Sequence, residues 1–256
     1  MTNYLTADTD LTAVANAIRT KGGTSAPLTF PAGFVSAVEA IETGGGGYTA
    51  NDWLDPYKPT GEVSSDVAIA NTNVFKSKYV NLLCNRKNIT KVSLPYATFI
   101  PSGFCQGCES LERVYAPLVK RLDMNAFSGC SSLQYAVFPL LETGYSTEFN
   151  GCTRLLGADI FGVTLTTKMF YDCEKMATLV LRNPNAICTL SNINVFTNTP
   201  FATGKSGGTL YVPQDLISSY QNATNWSTIL GYANNRILPI EGSIYETQYV
   251  DGTPIN

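Results

Sequence analysis

Four stretches decide the reading of this chain: Cys105-Gln-Gly-Cys108-Glu-Ser-Leu111, Phe127-Ser-Gly-Cys130-Ser-Ser-Leu133, Phe149-Asn-Gly-Cys152-Thr-Arg-Leu155 and Phe170-Tyr-Asp-Cys173-Glu-Lys-Met176. The cysteines at 108, 130, 152 and 173 are separated by 22, 22 and 21 residues. A fixed period of this length is the mark of a solenoid, in which one supersecondary unit buries its apolar face against the next. Solenoids offer an extended surface, so the pattern points toward binding and away from chemistry.

Working outward from the cysteine, each copy continues into a short alternating segment that ends at proline. Leu111, Val114 and Ala116 precede Pro117; Leu133, Ala136 and Phe138 precede Pro139; Ile89, Val92 and Leu94 precede Pro95. The period of two predicts a strand with one buried face, and proline stops its ladder. A second extended piece is expected around Ile100, Leu122 and Thr143, followed by the turn that carries Phe-x-Gly-Cys. Gly107, Gly129 and Gly151 are expected at positive φ, with Asp172 in the same place in the fourth copy. Thr209-Leu-Tyr-Val-Pro213 repeats the strand and proline, and Gln214 to Leu230 reads as a helical C-terminal cap with Leu216, Ile217, Tyr220 and Ile229 on its apolar side.

The fold class read from these patterns is a mainly β repeat solenoid of about 21–22 residues per coil, with a small N-terminal α-helical hairpin and a C-terminal helical cap. Residues 1–43 form the hairpin. Leu11, Val14 and Ile18 lie on one helical face, and Phe34, Val38 and Ile41 on a second that starts near Pro31. Two such helices bury little by themselves, so these six residues are candidates for oligomerisation or attachment; docking on the chain's own solenoid is the plainer alternative. Gly44 to Gly47 marks the domain boundary. Residues 44–61 read as linker and N-terminal cap, 62–240 as the solenoid, and 241–256 as an irregular tail.

Charged residues make up 14 % of the 256 residues and the net charge is −3, so no nucleic-acid partner is expected. No apolar run reaches the ~18 residues of a membrane span, and Met1 to Asp10 shows no positive n-region or apolar core of a secretory signal. Histidine is absent, which removes Ser-His-Asp and Cys-His catalysis and the commonest metal ligand. The seven cysteines are odd in number, and four share one repeat position. They read as a row of buried thiols; for Cys105-x-x-Cys108, half a zinc site or a redox pair is the alternative, weakened by the lack of a second such motif. Asp123, Glu142, Glu148 and Asp159 fall on different coils and make no convincing acid/base pair. No cofactor, no metal and no enzymatic activity are expected.

Adding one period per coil predicts two outward rows on the main sheet. One runs Ser93, Tyr115, Val137, Asp159, Val180 and Tyr211; its neighbour runs Lys91, Arg113, Tyr135, Gly157, Thr178 and Thr209. Lys91, Ser93, Arg113, Tyr115, Tyr135, Val137, Asp159, Val180 and Tyr211 are the candidate binding residues, because Tyr and Arg dominate binding hot spots and Tyr suits stacking on sugars. An ordinary solvated sheet face is the plainer reading of the same rows, and packing of the outward valines against a sister chain is another.

The Phe-x-Gly-Cys-x-x-Leu-x-x-Val-x-x-Pro pattern, with the closing Leu210-Tyr-Val-Pro-Gln-Asp-Leu-Ile-Ser-Ser-Tyr220 and Asn225-Trp226, resembles the BspA-like leucine-rich repeats of bacterial surface proteins and of proteins of gut bacteria and their phages. Cys105 stands for Phe, Asp172 for Gly and Met176 for Leu. Leu11-Thr-Ala-Val-Ala-Asn-Ala-Ile-Arg-Thr-Lys-Gly-Gly23 with Leu28-Thr-Phe-Pro-Ala-Gly-Phe34 resembles the helical segment that opens many tail, baseplate and fibre proteins of phages and prophages of Gram-positive bacteria. Together these resemblances imply a virion structural protein of tail, fibre or baseplate, assembled in the host cytoplasm. It would be a homo-oligomer, with a trimer favoured, contacting other virion proteins through its N-terminal segment and a host glycan or protein through its repeats. The alternatives are a head-fibre or decoration protein with a purely structural role, a bacterial surface adhesin, and a polysaccharide depolymerase.

Overall fold

The computed structural model describes residues 62–64, 80–94, 97–162, 164–230 and 234–255. The 1–43 hairpin, the 44–61 linker and the residues Leu11, Val14, Ile18, Phe34, Val38 and Ile41 lie outside the described residues. Within them the chain is a parallel β-solenoid. One face is built by β1 (Glu62–Ser64), β2 (Lys91–Ser93) and β4 (Arg113–Tyr115), and then by β6 (Tyr135–Phe138), β8 (Gly157–Ile160), β10 (Thr178–Leu181), β12 (Thr209–Val212) and β13 (Ile237–Pro239). A second face is built by β3 (Phe99–Ile100), β5 (Arg121–Leu122), β7 (Thr143–Gly144), β9 (Thr164–Leu165) and β11 (Thr189–Leu190). All strand pairs are parallel, and the expected register holds: Val137 lies beside Asp159, Asp159 beside Val180, and Val180 beside Tyr211. The main face extends past the C-terminal cap into β13, a strand that the repeat pattern did not indicate.

The repeated turn explains the repeated residues. Gly107, Gly129 and Gly151 have φ of 71°, 74° and 75°, and Asp172 takes φ 58° in the same place, as expected. Asn85 and Asn198, at 60° and 59°, extend this column to copies whose motif is not recognisable. Stacked backbones leave each column amide a partner in the following coil: Gly107 N–H donates to Ser128 O at 2.7 Å and Gly129 N–H to Asn150 O at 2.7 Å. Four residues earlier, Asn81, Gly103, Asn125, Thr147 and Lys168 form a second left-handed column, with φ from 58° to 62°. That column carries no uniform residue type, so periodicity alone did not expose it.

Six of the seven thiols are buried. Cys130 donates to Cys105 O at 3.1 Å, Cys152 to Phe127 O at 3.2 Å, and Cys173 to Phe149 O at 3.1 Å. Each thiol thus fills a small apolar space and satisfies a carbonyl of the preceding coil. Burial pushes the Cys188 thiol up to about 12 and raises Cys105, Cys130, Cys152 and Cys173 as well. Next to them the phenylalanines stack: Phe127 on Phe149 at 5.6 Å, Phe149 on Phe170 at 5.5 Å, and Phe170 on Phe196 at 5.8 Å, all at 7°.

The C-terminal cap is two short helices, α1 (Ile217–Asn222) and α2 (Trp226–Leu230), entered through a 3-10 turn at Gln214–Leu216. Its function is to pair the backbone left open at the end of the inner stack. Tyr220 Oη accepts from Cys188 N–H at 2.7 Å, Trp226 Nε1–H donates to Cys188 O at 2.6 Å, and Asn225 Nδ2 donates to Leu190 O at 3.1 Å. Arg236 donates to Gly208 O at 2.7 Å and Lys205 O at 2.8 Å.

Two outcomes follow. Phe149→Ala is expected to cost about 3–5 kcal/mol in urea unfolding, because it empties the middle of the ring stack, whereas Gly129→Ala should cost about 1–2 kcal/mol from backbone strain alone, since a Cβ there meets Gly107 at an ordinary 3.6 Å. Of the seven unbridged cysteines, only Cys84 is better than fully buried in its access to solvent; a thiol reagent at pH 8 should therefore modify Cys84 in the native protein and the others only on unfolding.

Candidate binding face

The outward residues of the main face are not equally available. Lys91 and Arg113 are exposed, Tyr115 is 59 % exposed, and Ser93, Tyr135, Val137 and Tyr211 are partly exposed. Asp159 and Val180 are completely buried, which corrects their assignment to an open row. The cause is the tail after Ile240. It turns back across the sheet through a 3-10 turn at Ile244–Glu246 and an antiparallel bridge between Gln248 and Pro254.

An ion pair on the sheet holds the tail. Arg182 Nε and Nη2 donate to the two Asp159 carboxylate oxygens, each at 2.6 Å. Nη1 donates to Tyr245 O and Nη2 to Gln248 O, each at 3.0 Å, while Asp159 Oδ2 also accepts from Val250 N–H at 3.2 Å. The Arg182 guanidinium lies 5.1 Å from the Tyr249 ring, and Tyr245 meets Tyr211 edge to face at 4.6 Å. Burial raises the Asp159 carboxyl, and Arg182 and the Val250 amide pull it back down.

The sequence held a signal of this contact. The neighbouring row carries Lys91, Arg113 and Tyr135, then Gly157; a Cβ at 157 would sit 2.6 Å from Val250 Cγ2. The side chain is missing where the tail crosses. An Asp in a row of Tyr and Val, with an Arg one coil later, marks the same place.

Toward the N-terminal end of the face, Lys91, Arg113 and Tyr115 are exposed. The β4 and β6 strands belong to different ladders, and the backbone bond between them is Gln134 N–H to Glu112 O at 3.5 Å, the edge of hydrogen-bonding distance. Over this seam lies a groove of about 350 Å³, floored by Lys91, Arg113, Tyr115, Tyr135 and Val137 and walled by Asp251 and Thr253 of the tail. The structure therefore brings six of the predicted binding residues together, Ser93 included, and separates Asp159, Val180 and Tyr211 from them.

The carboxylates weighed for catalysis each have a structural partner. Asp123 pairs with Arg121 at 3.0 Å and Glu142 with Lys120 at 3.0 Å. Glu148 is buried, accepts from Tyr145 N–H and from Thr166 Oγ1, and is raised by desolvation. Its carboxylate also explains Gly144, where a Cβ would sit 2.6 Å from Glu148 Oε1. Among the described residues no group of three or more His, Cys, Asp or Glu side chains is placed to hold a metal, and no helix is long and apolar enough to cross a membrane.

No family model matches the sequence, and no curated protein matches it. A solved structure to which the chain is similar is the leucine-rich repeat protein of T. pallidum: 18 % identity, 70 % of this chain and 80 % of that chain covered, TM-score 0.36.

Removing Arg182 leaves the Asp159 carboxylate buried without its partner. Arg182→Ala is expected to lower stability by about 3 kcal/mol in denaturant unfolding, and limited proteolysis of that variant should cut within 241–255 before any site in the coils.

Proposed function

We propose that this protein is a non-catalytic virion structural protein, of the tail, fibre or baseplate type, that presents its repeat surface for host-cell recognition or assembly. The observation that carries the presentation role is the exposed end of the main face, where Arg113 and Tyr115 line one groove with Tyr135. Tyr and Arg are among the side chains most enriched at binding hot spots, and Tyr gives a large contact area for little lost freedom. The resemblance of the Phe-x-Gly-Cys repeats to BspA-like repeats supports a surface-recognition protein, and the resemblance of residues 11–34 to phage tail segments supports the virion assignment. The reading includes a homo-oligomer, most simply a trimer, joined through Leu11, Val14, Ile18, Phe34, Val38 and Ile41, and contacts from that segment to other virion proteins.

Light scattering on the full chain and on a chain starting at Tyr48 tests this arrangement. The full chain is expected at a multiple of its 27.7 kDa mass, and the shortened one as a folded monomer. A shortened chain that keeps the oligomeric state would remove the attachment role from residues 1–47, and a monomeric full chain would remove self-assembly.

A further inference from the structure

We propose that the groove over the β4/β6 seam binds a neutral oligosaccharide, and that the chain's own tail forms one wall of the site. The proposal rests on the recognition reading above and gives it a ligand class. Three features of the groove support it.

Charge is the first. Lys91 and Arg113 line the groove together with Glu112 and Asp251. The two cations and two carboxylates cancel, so the site has no net pull on a polyanion or a polycation, yet it offers donors and acceptors of full charge to hydroxyl groups. Gln134, Ser93 and Thr253 add neutral partners of both kinds. A polyhydroxylated, uncharged ligand matches that set; an apolar helix does not, because it would strip water from Lys91, Arg113, Glu112 and Asp251 without giving them partners.

The second feature is the aromatic floor. Tyr115 is 59 % exposed and Tyr135 partly exposed, and both line the groove from neighbouring coils. Tyrosine presents an apolar face to the C–H side of a sugar ring and a hydroxyl to its edge.

The third is the construction of the tail wall. Asp251 Oδ1 accepts from Thr253 N–H at 3.0 Å and from Thr253 Oγ1 at 2.7 Å. The turn thereby fixes the carboxylate, and its Oδ2 has no protein partner among the described residues. Asp159 and Arg182 act as positioning residues, since they touch no groove atom but hold Tyr245, Gln248 and Val250 against the sheet.

The test uses the full chain on an array of immobilised neutral oligosaccharides of hexose, 6-deoxyhexose and N-acetylhexosamine units, with heparin and polylysine as charged controls. Calorimetry with the retained sugar follows. Retention of at least one neutral oligosaccharide and of neither control is expected. Tyr115→Ala should weaken binding about tenfold and Tyr115→Phe should restore most of it. Asp251→Asn should also weaken binding, and Arg182→Ala should do so without altering any groove side chain. No retention at millimolar sugar, a preference for heparin, or retention indifferent to Tyr115→Ala and Asp251→Asn would each overturn the proposal. Adsorption to bacterial cells separates it from the recognition reading. Adsorption that survives periodate oxidation of surface sugars keeps recognition and overturns the saccharide; adsorption lost on oxidation supports both. A chain that binds the array but adsorbs to no cell keeps the groove's ligand and sinks the host-recognition role.

Discussion

Stacking at a constant rise is the constraint on which this structure depends. Each coil exposes backbone N–H and C=O groups on both of its edges, and only another coil of the same path can pair them all. The pairing runs through the strands and also around the corner, where the column at 107, 129 and 151 donates to the following coil. Side chains must then repeat as well. The Phe rings stack at one spacing, and the cysteine thiols supply a donor small enough to fit between coils and reach a carbonyl. Cysteine serves here as a compact apolar residue with one weak hydrogen bond, which accounts for its recurrence at one repeat position.

The same constraint makes the end of the second face costly, because β11 has no following strand among the described residues. Tyr220 and Trp226 replace the missing partner at Cys188, and Arg236 collects carbonyls from Pro200 to Gly208. An aromatic pair and one guanidinium therefore stand in for a repeat.

Much of the fold was legible because it is periodic. Strand positions, outward rows, the positive-φ glycines and the buried cysteines all follow from one residue pattern taken at a fixed step. What escaped is aperiodic. The stretch from Cys173 to Thr209 holds a longer coil, with a 3-10 turn at Ile193–Phe196, that keeps the Phe column through Phe196 without the Gly-Cys signature. The tail has no period at all, since its contacts are made across 63 to 91 residues of sequence by Arg182 and Asp159. Alternation correctly put Asp159 and Val180 on the outer face of the sheet, but a pattern internal to the repeats carries no information about a segment that covers them. Gly157 was the local clue, as a missing side chain in a row of long ones.

The tail changes what the molecule can do. It takes the middle of the main face out of contact with solvent, confines access to the end built from Arg113, Tyr115 and Tyr135, and turns a flat surface there into a groove. The docked tail is thus the central claim, and amide hydrogen exchange of the full chain at neutral pH tests it most directly. Peptides covering 245–255 should be protected on the timescale of the β8 and β10 peptides, with Val250 among the slow amides. Exchange of 245–255 at the rate of an unstructured peptide, with the coils still protected, would contradict the account and return Asp159 and Val180 to the open face.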